Sequence, residues 1–360
     1  MPEYMRFDDG AVQFRLRLAV SLLSGKPLLI KNIRPDEDEP GLRDYEANFL
    51  RLIDLLTNGS TIEINSTGTQ LKFIPGGLLG GYKLEHVCPE SRSLGWFLEG
   101  LLPIAMFGKN SLELTLKGST DSLYSDPSPE YLQMTVVPLM VKFGVGGDDE
   151  APPPKIQVLN RGTVSFTCPA IKELSPIDLT DAGKIKRIRG TARSCRIPPS
   201  STARVAYACK GLLHRLLPDV WIHTDAQKGA SPSLNILLTS ESTTGVLLSA
   251  EYSMDPSNSS RKELPEDVGM RGASLLLEEI RRGGCVDTTS QSLALLLMCL
   301  GPEDVARIRV GTLSQYTVHA LRLYRRAFGI EFKLKTDEAS RTILCSCLGS
   351  GYVNMARAAT

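Results

Sequence analysis

The chain has 360 residues, enough for two or three domains or for one large core with an insertion. Lysine and arginine total 41 and aspartate and glutamate 40, so the net charge of +1 provides no global attraction to nucleic acid or membranes. Any such binding has to come from local patches. The longest apolar run, residues 293–300, is too short to span a bilayer, and no apolar signal segment opens the chain, so we expect no membrane association.

The eight cysteines favour reduced thiols over metal ligands. They contain no Cys-x-x-Cys pair, and the tightest spacing, between Cys345 and Cys347, suits two ligands of one zinc ion poorly. Buried free thiols are typical of proteins of the cytosol or nucleus. We therefore expect reduced cysteines in the core and no metal site.

The first half of the chain predicts helices alternating with half-buried strands. A helix is predicted over residues 42–59 and a strand over 61–65, where apolar and polar side chains alternate. Residues 112–116 and 164–166 are strand candidates on either side of a predicted helix over 128–145. This order of helices and short strands is typical of an α/β module.

Residues 184–261 follow a different pattern and predict a small inserted α/β domain. A basic strand opens the segment, and a helix is predicted over 201–217. Two strands are predicted to follow, at 235–241 and 245–253. The polar stretch 255–267 is predicted to be the linker that leads out of this domain.

The chain repeats itself on either side of this insert. Residues 128–145 align without a gap on 313–330, with Tyr131 opposite Tyr316, and a weaker third copy places Tyr45 in the same position. We therefore predict a fold of the α/β (α+β) class, with three repeated two-helix/four-strand modules and a small inserted α/β domain. The predicted boundaries place repeats one and two in residues 1–183, the insert in 184–262 and the third repeat in 263–360.

Four motifs in a fixed order connect these repeats to a known family. They are "IRPDEDEPGL" at 33–42, "FIPGGLLGGY" at 73–82, "LLP" at 101–103 and "GGCVDTTSQ" at 283–291. Over nearly the whole chain the sequence resembles the RNA 3′-terminal phosphate cyclase superfamily, and residues 264–311 resemble its eukaryotic cyclase-like branch. The resemblance implies a body of three repeats interrupted by one insert.

The resemblance also implies where a catalytic site would lie. Cyclases use a histidine near the start of the last repeat's second helix, which takes AMP from ATP and passes it to an RNA 3′-phosphate before the neighbouring 2′-hydroxyl closes a cyclic phosphate. Here Tyr316 stands at that position. A phenol with an ordinary pKa of about 10 is protonated at neutral pH, and the equivalent tyrosines Tyr45 and Tyr131 favour a packing role for Tyr316.

Other parts of the cyclase nucleotide site also differ in this sequence. Arg15 replaces the small residues that let backbone amides approach a phosphate, and Glu46 follows Tyr45 where cyclases carry a Gln-His pair. The loop before them, residues 36–39, is Asp-Glu-Asp-Glu, and these carboxylates repel phosphate. We therefore expect no cyclase chemistry, no catalytic residue and no cofactor. The glycine-rich "PGGLLGGY" at 75–82 lacks the spacing and the lysine of a P-loop, so tight turns between strands are favoured over a phosphate cradle.

A basic segment that opens the insert, residues 183–196, is the strongest positive signal. It contains no acid, and its candidate binding residues are Lys184, Lys186, Arg187, Arg189 and Arg193. One interpretation is an arginine-rich contact for RNA phosphates or for an acidic protein segment, and the other is a solvated basic sheet edge. Because no aromatic residue interrupts the cluster, reading of unstacked bases is not expected there. A basic run of this kind can also act as a nuclear-import signal.

A second candidate strip lies on the predicted helix over 313–330. Arg322 and Arg326 follow His319 by three and seven residues, so the three side chains share one helix face. A solvated polar face is the simpler interpretation, and a basic strip facing RNA or a protein partner is the alternative. The apolar stripe of the same helix is predicted to contain Tyr316, Ala320, Leu323 and Ala327.

The resemblance implies a role in ribosome assembly rather than in catalysis. It implies action in the nucleolus, within the early small-subunit precursor particle, together with a nucleolar GTPase and in pre-rRNA processing toward 18S rRNA. We therefore expect a protein of the nucleus and nucleolus whose partners are that GTPase, the pre-rRNA and the precursor particle. The alternative is an enzyme, either an endoribonuclease acting on pre-rRNA or a residual RNA 3′-phosphate cyclase.

Overall fold

The computed structural model describes residues 3–120, 126–147, 151–227, 232–254 and 263–357. Within these ranges the strands form four four-stranded sheets and one two-stranded sheet, and helices pack against the larger sheets. Most of the predicted linker at 255–267 lies outside the described residues.

The first module combines two helices with a four-stranded sheet. Its elements, in chain order, are β1 (Met5–Phe7), α1 (Phe14–Ser24), β2 (Leu28–Ile30), α2 (Asp44–Leu56), β3 (Thr57–Asn58), β4 (Thr61–Ile64), β5 (Leu71–Ile74) and β6 (Gly77–Leu78). The strand order is β1-β2-β5-β4, with the first pair parallel and the other pairs antiparallel. The short strands β3 and β6 pair with each other.

The second module repeats this plan. Its elements are β7 (Gly81–Val87), α3 (Leu94–Ala105), β8 (Leu112–Lys117), α4 (Pro129–Tyr131), a π-helical turn (Leu132–Val136), α5 (Val137–Lys142), β9 (Lys155–Asn160) and β10 (Thr163–Cys168). The sheet order, β7-β8-β10-β9, and the strand directions match those of the first module. The segment from α4 to α5 is the tyrosine-led helix that the sequence predicts, and the Ser128 side chain caps its first turn.

The third module is interrupted by the insert. Strand β11 (Asp178–Leu179) comes first, and the insert follows with β12 (Ile185–Cys195), α6 (Pro199–Leu213), β13 (Val220–Gln227), β14 (Ser233–Ser242), β15 (Leu247–Ser253) and α7 (Pro265–Arg282). The module continues with α8 (Gln291–Leu300), β16 (Val305–Val310), α9 (Gln315–Phe328), β17 (Lys333–Asp337) and β18 (Thr342–Leu348). Its sheet order, β11-β16-β18-β17, again matches the other modules. The predicted α/β (α+β) fold of three modules with one insert is therefore confirmed.

The insert has its own topology and its own hydrophobic core. Its sheet order is β13-β12-β14-β15, so its first strand lies inside the sheet rather than at the edge. Helices α6 and α7 pack against this sheet around a separate core that includes Ile188, Ile236 and Leu276. The insert also contacts the second module, where the Thr135 hydroxyl donates to the Ser249 hydroxyl at 2.5 Å.

Two predicted domain boundaries differ from the structure. Strand β11 precedes residue 184 but belongs to the third module, because it completes the sheet of that module. Helix α7 lies beyond residue 262 but belongs to the insert, because Val268, Ala273 and Leu276 pack into the insert's core. The polar residues before α7 led to a boundary placed one helix too early.

One large hydrophobic core extends through the three modules. Phe49 of α2, Phe97 of α3 and Leu296 of α8 are all fully buried in it. All eight cysteines lie within the described ranges and are free and buried, as the sequence predicts. Among the helices in these ranges, none is both long and apolar enough to cross a membrane.

Candidate functional site

Helix α9 begins and ends close to the predicted positions because its capping signals are local. The Ser314 side chain accepts a hydrogen bond from the Thr317 amide at 3.1 Å, and Gly329 ends the helix with a φ of 74°. The start of α9 lies beside the start of α1, since Gln13 donates from Nε2 to the Tyr316 carbonyl at 2.7 Å. The first and third modules therefore meet at the position that the resemblance assigns to catalysis.

Tyr316 does not have the packing role that the sequence predicts for it. Its surface is 40% exposed, whereas its equivalent in the second module, Tyr131, is 3% exposed. The remaining members of the predicted stripe are buried, namely Ala320, Leu323 and Ala327. The repeat therefore fixes the face of α9 but not the neighbours of its first turn, where Tyr316 lines a cavity instead.

This cavity is a small cleft that is partly open to solvent. It offers about 40 Å³, room for on the order of three water molecules, between residues of α1, α3, the π-helical turn, α8 and α9. Burial against these walls, reinforced by the Glu99 carboxylate, raises the pKa of Tyr316 to about 12. An exposed phenol has a pKa of about 10, so by either value the Tyr316 hydroxyl is protonated at neutral pH and is a weak nucleophile.

Arg15 lies at the cavity where the resemblance places a glycine-rich phosphate-binding turn. Its guanidinium pairs with Glu99 at 2.7 Å and lies 4.5 Å from the centre of the Trp96 ring. It also donates a hydrogen bond to the Trp96 carbonyl. These three contacts hold the charge within the protein, so Arg15 closes this side of the cavity and is already neutralised.

The neighbouring Arg17 is a buried structural residue. It is 4% exposed, donates to the Gly10 carbonyl at 3.1 Å and pairs with Asp9 at 2.6 Å. Burial by itself would raise the pKa of Asp9, but the hydrogen bond and charge of Arg17 outweigh burial and lower that pKa below its ordinary value. The Arg17 guanidinium also lies 4.0 Å from the centre of the Phe7 ring.

The predicted basic strip on α9 is divided among different environments. Arg326 lies 4.9 Å from the centre of the Phe7 ring and donates to the Arg6 carbonyl at 2.7 Å, so it connects the third module to the first. His319 is half-buried. Arg322 is exposed and forms no ion pair within the described part of the chain. Binding of RNA or protein by this strip stays a prediction.

Glu46 does not present a free carboxylate to phosphate. It is 3% exposed, and its two oxygens accept hydrogen bonds from the Arg34 guanidinium, both at 2.7 Å. The same carboxylate accepts from the Arg43 amide at 2.9 Å and so caps α2. The predicted reason, repulsion of phosphate by Glu46, is therefore replaced by pairing, which takes up the Arg34 charge.

The glycine-rich stretch at 75–82 packs closely against backbone. A Cβ atom on Gly76 would lie 2.2 Å from the Asn58 carbonyl oxygen, and one on Gly80 would lie 2.1 Å from that of Asn110. Glycine is therefore required at both positions by the close approach of two chain segments. This packing supports the predicted turns between strands.

The basic segment becomes strand β12, and acids from other elements compensate most of its charge. Lys186 and Arg187 share Glu241 of β14, at 2.6 and 2.5 Å, beside a bulge in the strand. Arg189 forms two hydrogen bonds with the Asp219 carboxylate, at 2.8 and 3.0 Å. The strand is basic in sequence but largely neutralised in the fold.

The two remaining candidates of this segment differ from each other. Arg193 pairs with Glu130 of α4 at 2.5 Å and with Asp225 of β13 at 3.2 Å, so it connects the insert to the second module. Lys184 is exposed and has no ion pair in the ranges that the structure describes. The five candidate residues therefore do not form one free cationic patch, and their binding of RNA or a partner stays a prediction.

Two features of the insert could not be read from the sequence. Trp221 of β13 lies beside Arg189 in the parallel ladder and is 67% exposed, so an aromatic residue does accompany the basic strand. Carboxyl groups also lie at the junction between the insert and the modules, where burial raises the pKa of Asp287 to about 6 and that of Glu251 to about 7. Both features depend on neighbours from distant parts of the chain.

The described residues contain no evident metal site. Across the described ranges, no three or more His, Cys, Asp or Glu side chains cluster in a way that could hold a metal ion. Metal-dependent cutting of RNA needs such clustered ligands.

Comparison with known proteins defines the family. The family model for RNA 3'-terminal phosphate cyclase matches residues 7–334, and the chain therefore belongs to the RNA 3'-terminal phosphate cyclase family. The human RNA 3'-terminal phosphate cyclase-like protein is 44% identical over 365 residues, covering 97% of this chain and 96% of the relative. The probable RNA 3'-terminal phosphate cyclase-like protein of Dictyostelium discoideum is 44% identical over 370 residues, with coverage of 97% and 98%.

A third relative has a name that refers to a process. The rRNA processing protein rcl1 of Schizosaccharomyces pombe is 40% identical over 357 residues, covering 95% of this chain and 94% of the relative. Among solved structures, the enolpyruvyl transferase NikO from Streptomyces tendae aligns with a TM-score of 0.41 at 12% identity, covering 97% of this chain and 50% of that one. The family predicted from the sequence is thus confirmed.

Proposed function

We propose that this protein is a processing factor for pre-rRNA without cyclase activity, acting in assembly of the small ribosomal subunit. The observation that carries the proposal is the protonated Tyr316 at the position of the nucleophilic histidine, in a chain 40% identical over nearly its full length to a relative named for rRNA processing. The chain matches the family model over residues 7–334, whereas Tyr316 stands where the resemblance places the nucleophilic histidine.

Three observations support the absence of cyclase chemistry. A protonated tyrosine occupies the position of the nucleophilic histidine. The cleft beside it has room for a few waters. Arg15 and Arg34 are each paired with a glutamate of the protein itself. The described residues offer no group of metal ligands and therefore give no support to a metal-dependent endoribonuclease.

The finer parts of the proposal follow from the family resemblance. The protein would act in the nucleolus, within the small-subunit precursor particle, in the steps that lead to 18S rRNA. It would bind a nucleolar GTPase and work as a scaffold that holds pre-rRNA and protein together. Such a role uses the surface of a stable fold and requires no reacting group.

Depletion and replacement in cells test this proposal. The protein is depleted and replaced by the wild-type chain or by Tyr316→Phe, and 18S rRNA and its precursors are measured by hybridisation. We expect depletion to lower 18S rRNA and Tyr316→Phe to restore it fully. A matched control is Tyr82→Phe, which alters another exposed tyrosine, 66% exposed, in the second module.

A direct assay separates the two parts of the proposal. Purified protein is incubated with labelled ATP, and covalent AMP is measured after denaturation. An AMP adduct that Tyr316→Phe abolishes would overturn the absence of cyclase chemistry. Unchanged 18S rRNA after depletion would overturn the role in rRNA processing.

A further inference from the structure

We propose that the exposed face of α6 and the adjoining start of β13 bind single-stranded RNA, because two exposed aromatic rings and unpaired cations meet there. This α6–β13 surface consists of Tyr207, Lys210 and Gly211 of α6, Arg215 of the turn that follows the helix, and Trp221 of β13. The inference rests on the proposed role in pre-rRNA processing and names a surface through which the RNA is held. It differs from the basic strand β12, whose charges are mostly compensated.

The aromatic rings of this surface are exposed to an unusual degree for their size. Tyr207 is 82% exposed and Trp221 is 67% exposed. Lys210 connects them, because it follows Tyr207 by one helical turn and its Nζ lies 5.7 Å from the centre of the Trp221 ring. Trp221 also lies on β13, the edge strand of the insert's sheet, where exposed apolar side chains invite unwanted association unless they serve a contact.

The surface carries positive charge that the protein does not neutralise. No aspartate or glutamate occurs between residues 184 and 218. In the part of the chain that the structure describes, Lys210 and Arg215 form no ion pair. The acids that adjoin the surface are already engaged, Asp219 by Arg189 and Glu266 by Arg204.

Gly211 leaves bare backbone near the centre of the surface. A Cβ atom built on it meets nothing within 4 Å, so no packing contact requires a glycine there. Glycine is less favourable than alanine inside a helix, which makes this position a local cost to α6. The open space above Gly211, about one helical turn after Tyr207, leaves room for a base or sugar to lie against α6.

This combination fits an unpaired RNA strand better than other polyanions. Unpaired bases stack on aromatic rings, and cations beside the rings hold the phosphates between them. A duplex keeps its bases stacked inside and would contact only Lys210 and Arg215. An acidic peptide would also use these cations, but would leave the exposed Tyr207 and Trp221 rings without a role.

Fluorescence anisotropy of a labelled 12-nucleotide oligouridine, titrated with the full-length protein, tests the inference. We expect Trp221→Ala to weaken binding by about tenfold, the effect of losing one stacked base. We expect Lys210→Gln combined with Arg215→Gln to reduce the slope of log affinity against log salt concentration by about 1.4, or about 0.7 per phosphate contact on a single strand.

A third variant separates binding from folding. Gly211→Glu places bulk and negative charge on the surface at a position with no neighbours, and we expect it to weaken binding by at least about tenfold without lowering the melting temperature. The matched control is Gly77→Glu, which adds the same side chain at an equally open position in the first module. Tyr82→Ala, at a 66% exposed tyrosine, is the control for Trp221→Ala. Both controls are expected to bind like the wild type.

The outcomes that overturn the inference are distinct from those that overturn the proposed function. Wild-type affinity in both Trp221→Ala and Gly211→Glu would overturn it. A competition experiment with a glutamate-rich peptide provides a second test. If the peptide displaces the oligouridine and Trp221→Ala leaves peptide binding unchanged, the surface binds an acidic protein segment and the inference is overturned. A wild-type protein that binds no oligouridine also overturns it, whereas the role in rRNA processing is judged by 18S rRNA levels alone.

Discussion

The junction of the first and third modules and the outer face of the insert use charged residues in opposite ways. At the junction, Arg15 pairs with Glu99 beside Tyr316, and the neighbouring Arg17 pairs with Asp9. On the α6–β13 surface, the half-buried Lys210 and the exposed Arg215 form no ion pair within the described ranges, and the Trp221 ring beside Lys210 is exposed. Both regions contain several cations, but Arg15 of the junction is paired with an acid, whereas Lys210 and Arg215 are not.

This comparison shows that the partners of a cation, rather than the number of cations, decide whether a region can bind phosphate. A neutralised guanidinium offers no net charge and has its hydrogen bonds already used. A lysine ammonium that lies beside an aromatic ring and has no acidic partner keeps its net charge and can still bind a phosphate. A family fold can thus close its old site and still contact RNA elsewhere.

The largest effect is expected when the buried ion pair between Arg34 and Glu46 is removed. Glu46→Ala leaves the partly buried Arg34 guanidinium without its partner and removes the cap of α2, so we expect the free energy of unfolding to fall by about 3 kcal/mol. Urea denaturation followed by circular dichroism measures the change. The control is Glu63→Ala, which breaks an exposed pair with Lys72 and should cost less than about 1 kcal/mol. Equal losses for the two variants would contradict the account of a buried pair.

A smaller effect is expected where the insert meets the second module. Glu251 accepts a hydrogen bond from the Ser128 amide at 2.7 Å, and burial raises its pKa to about 7. Because the folded protein holds this proton more tightly than the unfolded chain, the stability that Glu251 contributes is present below about pH 4.5 and is lost as the pH rises through 7. Glu251→Gln should therefore stabilise the protein by about 2 kcal/mol at pH 8.

The sign of this pH dependence is the decisive part of the measurement. Glutamine can accept the same hydrogen bond from Ser128 and carries no charge. Thermal unfolding at pH 4 should consequently show little gain for Glu251→Gln, since the Glu251 carboxyl is then mostly protonated in both the folded and the unfolded protein. A gain of equal size at pH 4 and pH 8 would mean that desolvation of the Glu251 charge is not the cause.

The smallest effect is expected from a substitution in the insert, next to the α6–β13 surface. Asp219→Asn breaks the exposed pair with Arg189, and we expect no measurable change in unfolding. It also frees the Arg189 charge next to Trp221, so affinity for oligouridine should rise about twofold at low salt. Weaker RNA binding by Asp219→Asn would place the RNA away from the α6–β13 surface.

The parts of the fold that the sequence predicted are those governed by local signals. Helix α9 was predicted because its apolar residues repeat with helical spacing, and the structure adds the caps Ser314 and Gly329. The three modules were predicted because the chain repeats itself. Helix α7 was assigned to the wrong unit, since its core partners in the insert lie up to about 90 residues earlier in the chain and no local pattern identifies them.

The candidate site was harder to predict because charge pairing is a property of the fold. Arg189 and Arg193 looked free in a segment without acids, but Asp219 and Glu130 reach them from other elements. The lack of an aromatic residue in that segment predicted that no base stacks there. In the fold, Trp221 of the adjacent strand lies beside Arg189. Conversely, the replacement at Tyr316 could be read from one position in the sequence.

Cross-linking in assembling particles tests the central claim most directly. Ultraviolet cross-linking of the protein to RNA in cells, followed by mass spectrometry of the linked peptides, locates the contact by residue. We expect linked nucleotides on peptides that contain Tyr207 or Trp221, and none on the peptide that contains Tyr316. Cross-links concentrated at Tyr316 and Arg15, with none on α6 or β13, would contradict an account in which the family's old site is closed and the insert contacts the RNA.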